Sequence, residues 1–362
     1  MRVLVINAGS SSIKYALFED LTLITRGKIE EIKDFGEAFT ALEWRLWEMG
    51  VDLRKLDAIA HRVVHGGEKF RFTTLITPEV LEALRVVSHL APLHNPANIK
   101  GIEVALALAS SVKNYAVFDT AFHHTMPASS YLYAIDPAYY RNLGVRRYGF
   151  HGISHHFVSS EASKLLGKIE PNLITFHIGN GASVCAIKGG KSFDTSMGFT
   201  PLEGLVMGSR SGDLDPMIVG FLMRSLDLSI DELEQLLNKK SGLLALAGSS
   251  DMRKILTSDE KRATLALEIY SHRLRKYLGA YTALLNPLDA VVFTGGIGEN
   301  SSRIRAMVLE DLEHIGIELD SRANEQNSTT ISKLASRVKV LVIPTNEELQ
   351  MAKYIKDVLA NR

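Results

Sequence analysis

The run Val3 to Phe18, VLVINAGSSSIKYALF, constrains the fold more than any other stretch of this chain. Val3, Leu4, Val5 and Ile6 are four consecutive apolar residues, the pattern of a strand covered on both faces. Ile13, Tyr15 and Leu17 then alternate with Lys14, Ala16 and Phe18, so the segment reads strand, turn, strand. The best-known phosphate-binding glycine motifs turn into a helix instead. A Walker A loop needs a second glycine followed directly by Lys and Ser or Thr, and a dinucleotide fingerprint needs GxGxxG; neither spacing is present. Gly9, Ser10, Ser11 and Ser12 nonetheless let a phosphate approach backbone N–H groups and hydroxyls, with Lys14 as a nearby point charge. An ordinary serine-rich hairpin reads the same way, and this segment alone leaves both readings open.

The pattern recurs. Leu173 to Lys188, LITFHIGNGASVCAIK, is again an apolar strand, a Gly and Ser turn, and an alternating strand. Aligning NAGSSSI with IGNGASV sets Ser12 on Ser183 and Ile13 on Val184. Two such turns in the two halves of one chain predict a duplicated domain with a ligand between the halves. A third glycine turn, DAVVFTGGIGEN from Asp289 to Asn300, runs from strand to helix, and Ile304, Val308, Leu312 and Ile315 continue it with helical spacing. Further strands are expected at 57–63, 115–118, 192–195 and 338–343, and helices at 78–90, 96–110, 230–237 and 260–285. The last should stop before Pro287. Its apolar positions Leu265, Ile269, Leu274, Leu278 and Tyr281 read as core or subunit contact. The tail after Glu347 reads as a helix packing back on the first domain.

Lys plus Arg and Asp plus Glu both number 41 among 362 residues, so the formal charge is zero. That balance points away from nucleic acid or a membrane surface as main partner. The single cysteine, Cys185, allows no internal disulfide and no CxxC knuckle. With no basic and apolar leader at the start and no spanning apolar run, a cytoplasmic protein is expected.

Four clusters combine charge, glycine and histidine in apolar surroundings: HRVVHGG with Arg62, VFDTAFHH with Asp119, YGFHGISHH with His151, and MGSRSGDLDP with Arg210. Arginines at such places bind carboxylate or phosphate bidentately. A lone His or Arg is more often a satisfied structural charge. His151, His155 and His156 lack the HExxH or cysteine partners of a zinc site and read as capping or core residues. Ser11 to Lys14 matches SxxK, but the companion SDN and KTG motifs are missing, and there is no GxSxG elbow.

NAGSSSIKY, HRVVHGGEKF, APLHNP, VFDTAFHHTMP, RRYGFHGISH, HIGNGAS, TSMGFTPLEG, MGSRSGDLDP, NKKSG, FTGGIGENS and IPTNEEL together resemble the acetate kinase family of short-chain acyl-phosphate kinases, in family order from Asn7 to Leu349. The span between Phe18 and His61 is shorter than is usual there by some tens of residues. The resemblance implies an α/β fold: two domains of duplicated ribonuclease H-like (actin/hexokinase-type) topology around a nucleotide cleft. The domains would be residues 1–122 with 349–362, and residues 123–348 as the nucleotide-binding part. It makes the serine turn a phosphate loop, with Asn7, Ser10, Ser12 and Lys14 at positions around phosphates and magnesium. Arg62 and Arg210 match arginines that hold the carboxylate and the transferring phosphoryl group, His151 a transition-state stabiliser, and His94 a second active-site histidine. Asp119 matches an acidic residue given a proton donor or acceptor role, although an ionised carboxylate substrate needs no base and Asp119 is better read as orienting Arg62 or metal-bound water. Glu347 matches a magnesium-linked glutamate. His177, Ile178, Gly179, Asn180 and Gly181, then Asp251, Met252 and Arg253, then Gly296, Ile297, Gly298, Glu299 and Asn300 match nucleotide-binding segments. Val64, Leu93, Phe150 and Pro201 match a small apolar pocket for the acyl methyl group.

The implied reaction is reversible, ATP- and Mg2+- (or Mn2+-) dependent phosphorylation of acetate by direct in-line transfer, in a homodimer acting on small molecules. Propionate or another short-chain acid is the alternative substrate within the family. A non-catalytic nucleotide switch of the same fold is the alternative from another class, and it would have no use for Arg62, Arg210 and an acyl pocket.

Overall fold

The computed structural model describes residues 1–361. They form two compact units: Met1–His124 with Gly152–Ser154 and Asn346–Arg362, and Thr125–His151 with His155–Thr345. The first holds strands β1 (Arg2–Ala8), β2 (Ser12–Glu19), β3 (Thr22–Glu30), β4 (Ala58–Val63), β5 (Thr74–Leu75) and β6 (Lys113–Phe118). Their order is β3-β2-β1-β4-β6-β5, with β1, β4 and β6 parallel and β1-β2-β3 an antiparallel meander.

The apolar run of β1 follows from what covers it. Leu4 and Ile6 face Phe39, Leu42 and Leu46 of the helix Phe35–Glu48, while Val3 and Val5 face Met351, Ala352 and Ile355 of the helix Glu347–Ala360. Successive strand side chains point to opposite faces, so a strand with a helix on each side is apolar at every position. The C-terminal helix thus covers one face of the first unit's sheet, as expected for the tail after Glu347.

The second unit repeats the plan with β7 (Leu173–Ile178), β8 (Ala182–Lys188), β9 (Lys191–Thr195), β10 (Ala290–Thr294) and β11 (Lys339–Val342). The order is β11-β10-β7-β8-β9, again a parallel set, β7, β10 and β11, joined to an antiparallel meander, β7-β8-β9. The duplication is therefore present in the topology, with β1, β2, β3, β4 and β6 answering to β7, β8, β9, β10 and β11. Pairing corrects the alignment of the two turns. Asn7 and His177 are both half-buried residues flanked by buried ones near the end of their strands, and their cross-strand partners are Lys14 and Ser183. Lys14, not Ser12, thus answers to Ser183, because the first hairpin is one residue longer: four residues separate Ala8 from its partner Ile13, and three separate Ile178 from Ala182.

The third glycine turn runs from β10 into the helix Gly295–Asn300, as expected. The following helix, Ser302–Leu309, stops short of Leu312 and Ile315, which lie in a separate turn. The helix Lys261–Leu284 buries Leu274, Leu278 and Tyr281 and leaves Leu265 54% exposed. Among the described residues no helix is long and apolar enough to cross a membrane.

Two buried imidazoles make the first unit acid-sensitive. His61 Nε2 donates to Asn114 Oδ1 at 2.7 Å. Burial pushes His61 down from 6.5 to about 4, a fall the Asn114 bond only partly offsets, and burial with the neighbouring His89 pushes His65 to about 3. Both pKa values are depressed in the folded state, so the stability they contribute is complete above the unfolded value near 6.5 and is lost as pH falls toward the folded values. The slope is ~1.4 kcal/mol per pH unit for each group. We expect Tm to fall steeply between about pH 6 and 4, and His61→Gln to flatten that slope. A variant as acid-labile as wild type in a thermal-shift titration would dismiss this account.

Candidate active site

In the first unit the β1-β2 hairpin closes with Gly9 N–H donating to Ser12 O at 2.8 Å, leaving Ser10 and Lys14 exposed and Asn7 and Ser12 half-buried. Arg62 sits near the end of β4, and Asp119 follows directly on the neighbouring parallel strand β6. Adjacent parallel strands ending together bring two residues 57 positions apart into a bidentate pair. Arg62 Nε donates to Asp119 Oδ1 at 2.8 Å and Nη2 to Oδ2 at 2.6 Å. Glu347, opening the helix that covers the sheet, lies 3.8 Å from Arg62 Nε. Burial would lower the Arg62 pKa, but the carboxylates of Asp119 and Glu347 outweigh it and hold the value above that of a free guanidinium. Two of its five N–H donors are used, and three remain for an anion.

Two asparagines absent from the sequence-derived set hold this corner. Asn98 accepts from Val64 N–H at 3.1 Å and donates to Ala8 O at 2.7 Å, while Asn95 accepts from His65 N–H at 3.1 Å and donates to His65 O at 2.9 Å. Both lie buried in the helix Asn95–Leu108, just after His94 at its N-terminus. Asparagine is a poor helix former, so two of them one turn apart in HNPAN were the available signal. Val64 and His94 are half-buried and Leu93 is exposed. Gly152 N–H donates to Asp119 O at 2.9 Å, and a Cβ on Gly152 would lie 2.2 Å from that oxygen, so only glycine allows the approach.

In the second unit His151 has φ 56°, the left-handed conformation, at the N-terminus of the helix Gly152–Leu166. Its ring stacks on His177 of β7, with centroids 4.4 Å apart. Its Nδ1 meets Ser183 Oγ of β8 at 2.9 Å. At the hairpin tip, a Cβ on Gly181 would be 3.5 Å from His151 Nε2 and 3.7 Å from Arg210 Nη1, so His151 and Arg210 converge on that glycine. Arg210 is half-buried and donates weakly, to Pro201 O at 3.4 Å and Met207 Sδ at 3.8 Å. Among the described residues no carboxylate forms an ion pair with it, and burial lowers its pKa.

The loop bearing Arg210 is docked on both sides. Gly208 N–H donates to Asn180 O at 2.9 Å, and Leu243 and Leu244 N–H donate to Met207 O and Gly208 O at 2.9 and 2.8 Å. Gly242, φ 61°, makes this possible: a Cβ there would lie 2.2 Å from Met207 O. Pro201 belongs to a loop that Arg147 holds through Glu203 and the carbonyls of Thr195, Ser196 and Met197. Phe150 is buried and Pro201 half-buried.

Three sequence-distant segments meet in one open cavity of about 630 Å³, lined by Gly179 and Asn180, by Asp251, Met252 and Arg253, and by Gly296, Ile297 and Asn300. Glu299 does not line it. Its Oε1 accepts from Gly295 N–H at 2.8 Å and Thr345 N–H at 3.0 Å, which fixes the glycine turn from behind. Arg253 is paired with Asp251, Nη2 to Oδ2 at 2.8 Å.

A mixed sheet repeated with the same strand order and with a small-residue hairpin at the matching corner of each copy defines a duplicated α/β fold. The chain belongs to the acetokinase family, whose model matches residues 21–353. It is 50% identical to the acetate kinase of Thermotoga maritima, covering 99% of each chain. That alignment spans 399 positions against 362 residues here, a difference of some tens of positions. Among solved structures it resembles Porphyromonas gingivalis acetate kinase (41% identity, 99% of each chain, TM-score 0.93) and a propionate kinase from Francisella tularensis (41%, 98% of each, TM-score 0.94).

Proposed function

We propose that the protein phosphorylates acetate reversibly with ATP, giving ADP and acetyl phosphate by direct in-line transfer. The observation that carries this reading is Arg210: a half-buried guanidinium with no carboxylate partner among the described residues, converging with His151 on Gly181. A desolvated cation without a counter-ion is costly in the resting protein and becomes favourable when an anion arrives. Arg62, whose charge Asp119 already balances, orients the anion through its remaining N–H groups. Carboxylic acids have pKa values near ~4, so acetate is ionised at pH 7 and needs no general base. Asp119, with both oxygens on Arg62, acts as a positioning group.

Nucleotide binding is assigned to the second unit, with the cavity at Gly179, Asp251 and Gly296 taking ATP or ADP. In the first unit, Ser10, Ser12 and Lys14 of the β1-β2 hairpin are proposed as phosphate donors. Mg2+, or Mn2+ in its place, would be held by oxygen donors of Glu347 and Asn7, since hard cations of this kind use carboxylate, amide and phosphate oxygens; among the described residues the ion pair of Glu347 is the long one with Arg62, at 3.8 Å. When bound, the ion would neutralise charge on the phosphate oxygens. A cytoplasmic setting, where ATP is supplied, is the compartment that goes with this reading. A homodimer is the expected assembly, supported by the helix Met217–Leu226, whose Met217, Ile218, Phe221 and Leu226 are exposed and which buries no residue.

Val64 and Leu93 in the first unit, and Phe150 and Pro201 in the second, are the apolar residues proposed to select the acyl group. One methylene in an apolar pocket is worth about 1–3 kcal/mol, so propionate should be a slower second substrate. We expect a hydroxamate assay with ATP and Mg2+ to give product with acetate, less with propionate and least with butyrate. ATP consumption that is equal with and without acid would overturn the assignment in favour of a nucleotide switch.

A further inference from the structure

His151 does not meet Ser183 in isolation. The Ser183 hydroxyl lies between two imidazoles, 2.9 Å from His151 Nδ1 and 2.8 Å from His155 Nε2, and His155 Nδ1 is 2.7 Å from Thr175 Oγ1. Thr175, Ser183 and His155 are fully buried on β7, β8 and the helix behind them. The result is a continuous chain, Thr175, His155, Ser183, His151, whose outer end is His151 Nε2 near Gly181 and Arg210.

The direction of this chain follows from proton counting. A serine hydroxyl has one proton, so of the two nitrogens beside Ser183 Oγ one accepts and the other must donate. Thr175 Oγ1 makes one hydrogen bond, to His155 Nδ1, and a buried hydroxyl proton without an acceptor is costly. Thr175 therefore donates to His155 Nδ1. His155 is then protonated on Nε2 and donates to Ser183, and Ser183 donates to His151 Nδ1. His151 is left with its proton on Nε2, the outward nitrogen. Reversing the chain would strand the Thr175 proton and place the His151 proton on Nδ1. Beside His151 lie the stacked ring of His177 and, near Gly181, the Arg210 guanidinium.

We propose that Thr175, His155 and Ser183 are positioning residues that lock His151 as the neutral Nε2–H tautomer, so that it presents a hydrogen-bond donor to the transferring phosphoryl group. This rests on the function proposed above. It gives His155 a role that helix capping or core packing does not. It also predicts that a threonine two residues removed from any ligand contact matters for turnover and not for binding.

The test combines tautomer and kinetics. In 15N-histidine-labelled wild type at pH 7, His151 should show a bare Nδ1 and a protonated Nε2. A protonated Nδ1, as the other tautomer or as imidazolium, would overturn the proposal. Thr175→Val keeps the shape but removes the donor that sets the direction, and should lower kcat about ten-fold or more with KM for acetate and ATP little changed. Thr175→Ser should restore both kcat and the NMR signature. A folded Thr175→Val with near-normal kcat would overturn the positioning role even if the tautomer is as stated. Failure of the underlying reading would appear separately, as wild type without acid-dependent turnover.

Discussion

Arg210→Ala should lower kcat by about 100-fold or more while leaving ADP affinity close to that of wild type. The first half of that expectation comes from what the side chain does for a phosphoryl group whose charge is spread over its equatorial oxygens: a preorganised cation stabilises it without reorganisation cost. The second half comes from location. Arg210 converges with His151 on Gly181 and is not among the residues lining the cavity at Asp251 and Gly296. A further signature separates this from simple damage. The resting protein bears a partly desolvated charge without a carboxylate partner, so removing it should leave Tm unchanged or raised while activity collapses. Phosphate or acetyl phosphate should raise the Tm of wild type by binding the folded state, and should raise that of the variant much less. Arg210→Lys should recover little, because a point charge does not reproduce the planar fork. Near-normal turnover in Arg210→Ala would remove the proposed mechanism.

Much of this architecture was legible in the sequence, and the reasons are physical. β1 announces itself because helices cover both faces, making every residue from Val3 to Ile6 apolar. The duplication is legible because each half needs a small-residue hairpin at the same corner. The helix Phe35–Glu48 is harder to see. Phe39, Leu42 and Leu46 make a proper buried stripe, but Trp44 and Trp47, 63% and 61% exposed, put large apolar residues on the opposite face and blur the period. The helix Gly152–Leu166 is hidden by its glycine start and by histidines and serines that are buried in a polar network. For the site, motifs identify which arginines to examine, but not their electrostatic state. Arg62 is balanced because β4 and β6 end side by side, whereas among the described residues no carboxylate folds back to Arg210. Both facts are tertiary. His155 illustrates the same limit: its sequence neighbourhood reads as ordinary core, and its meaning comes from Thr175 and Ser183 on two other strands.

The pairing of Arg62 with Asp119 should give the opposite stability signature. Asp119→Ala leaves a guanidinium that is only 19% exposed without its main counter-charge, so stability should fall by about 3–5 kcal/mol, the range for breaking a buried pair from one side, and Tm should fall with it. Removing Arg62 as well should recover much of that loss. In kinetics, Arg62→Ala and Asp119→Ala should each lower kcat by about 100-fold, and the double variant should be little worse than either, because both remove the same oriented donor set. Acid–base catalysis by Asp119 predicts otherwise. A proton carrier would act independently of Arg62, so the two losses would multiply, and Asp119→Asn would lose a limb of the pH–rate profile. With acetate ionised and both Asp119 oxygens on Arg62, Asp119→Asn should instead keep the shape of the profile and lower its height, the amide oxygen still accepting one guanidinium N–H. Multiplicative losses in the double variant would return Asp119 to a direct chemical role and leave Arg62 without its proposed anchor.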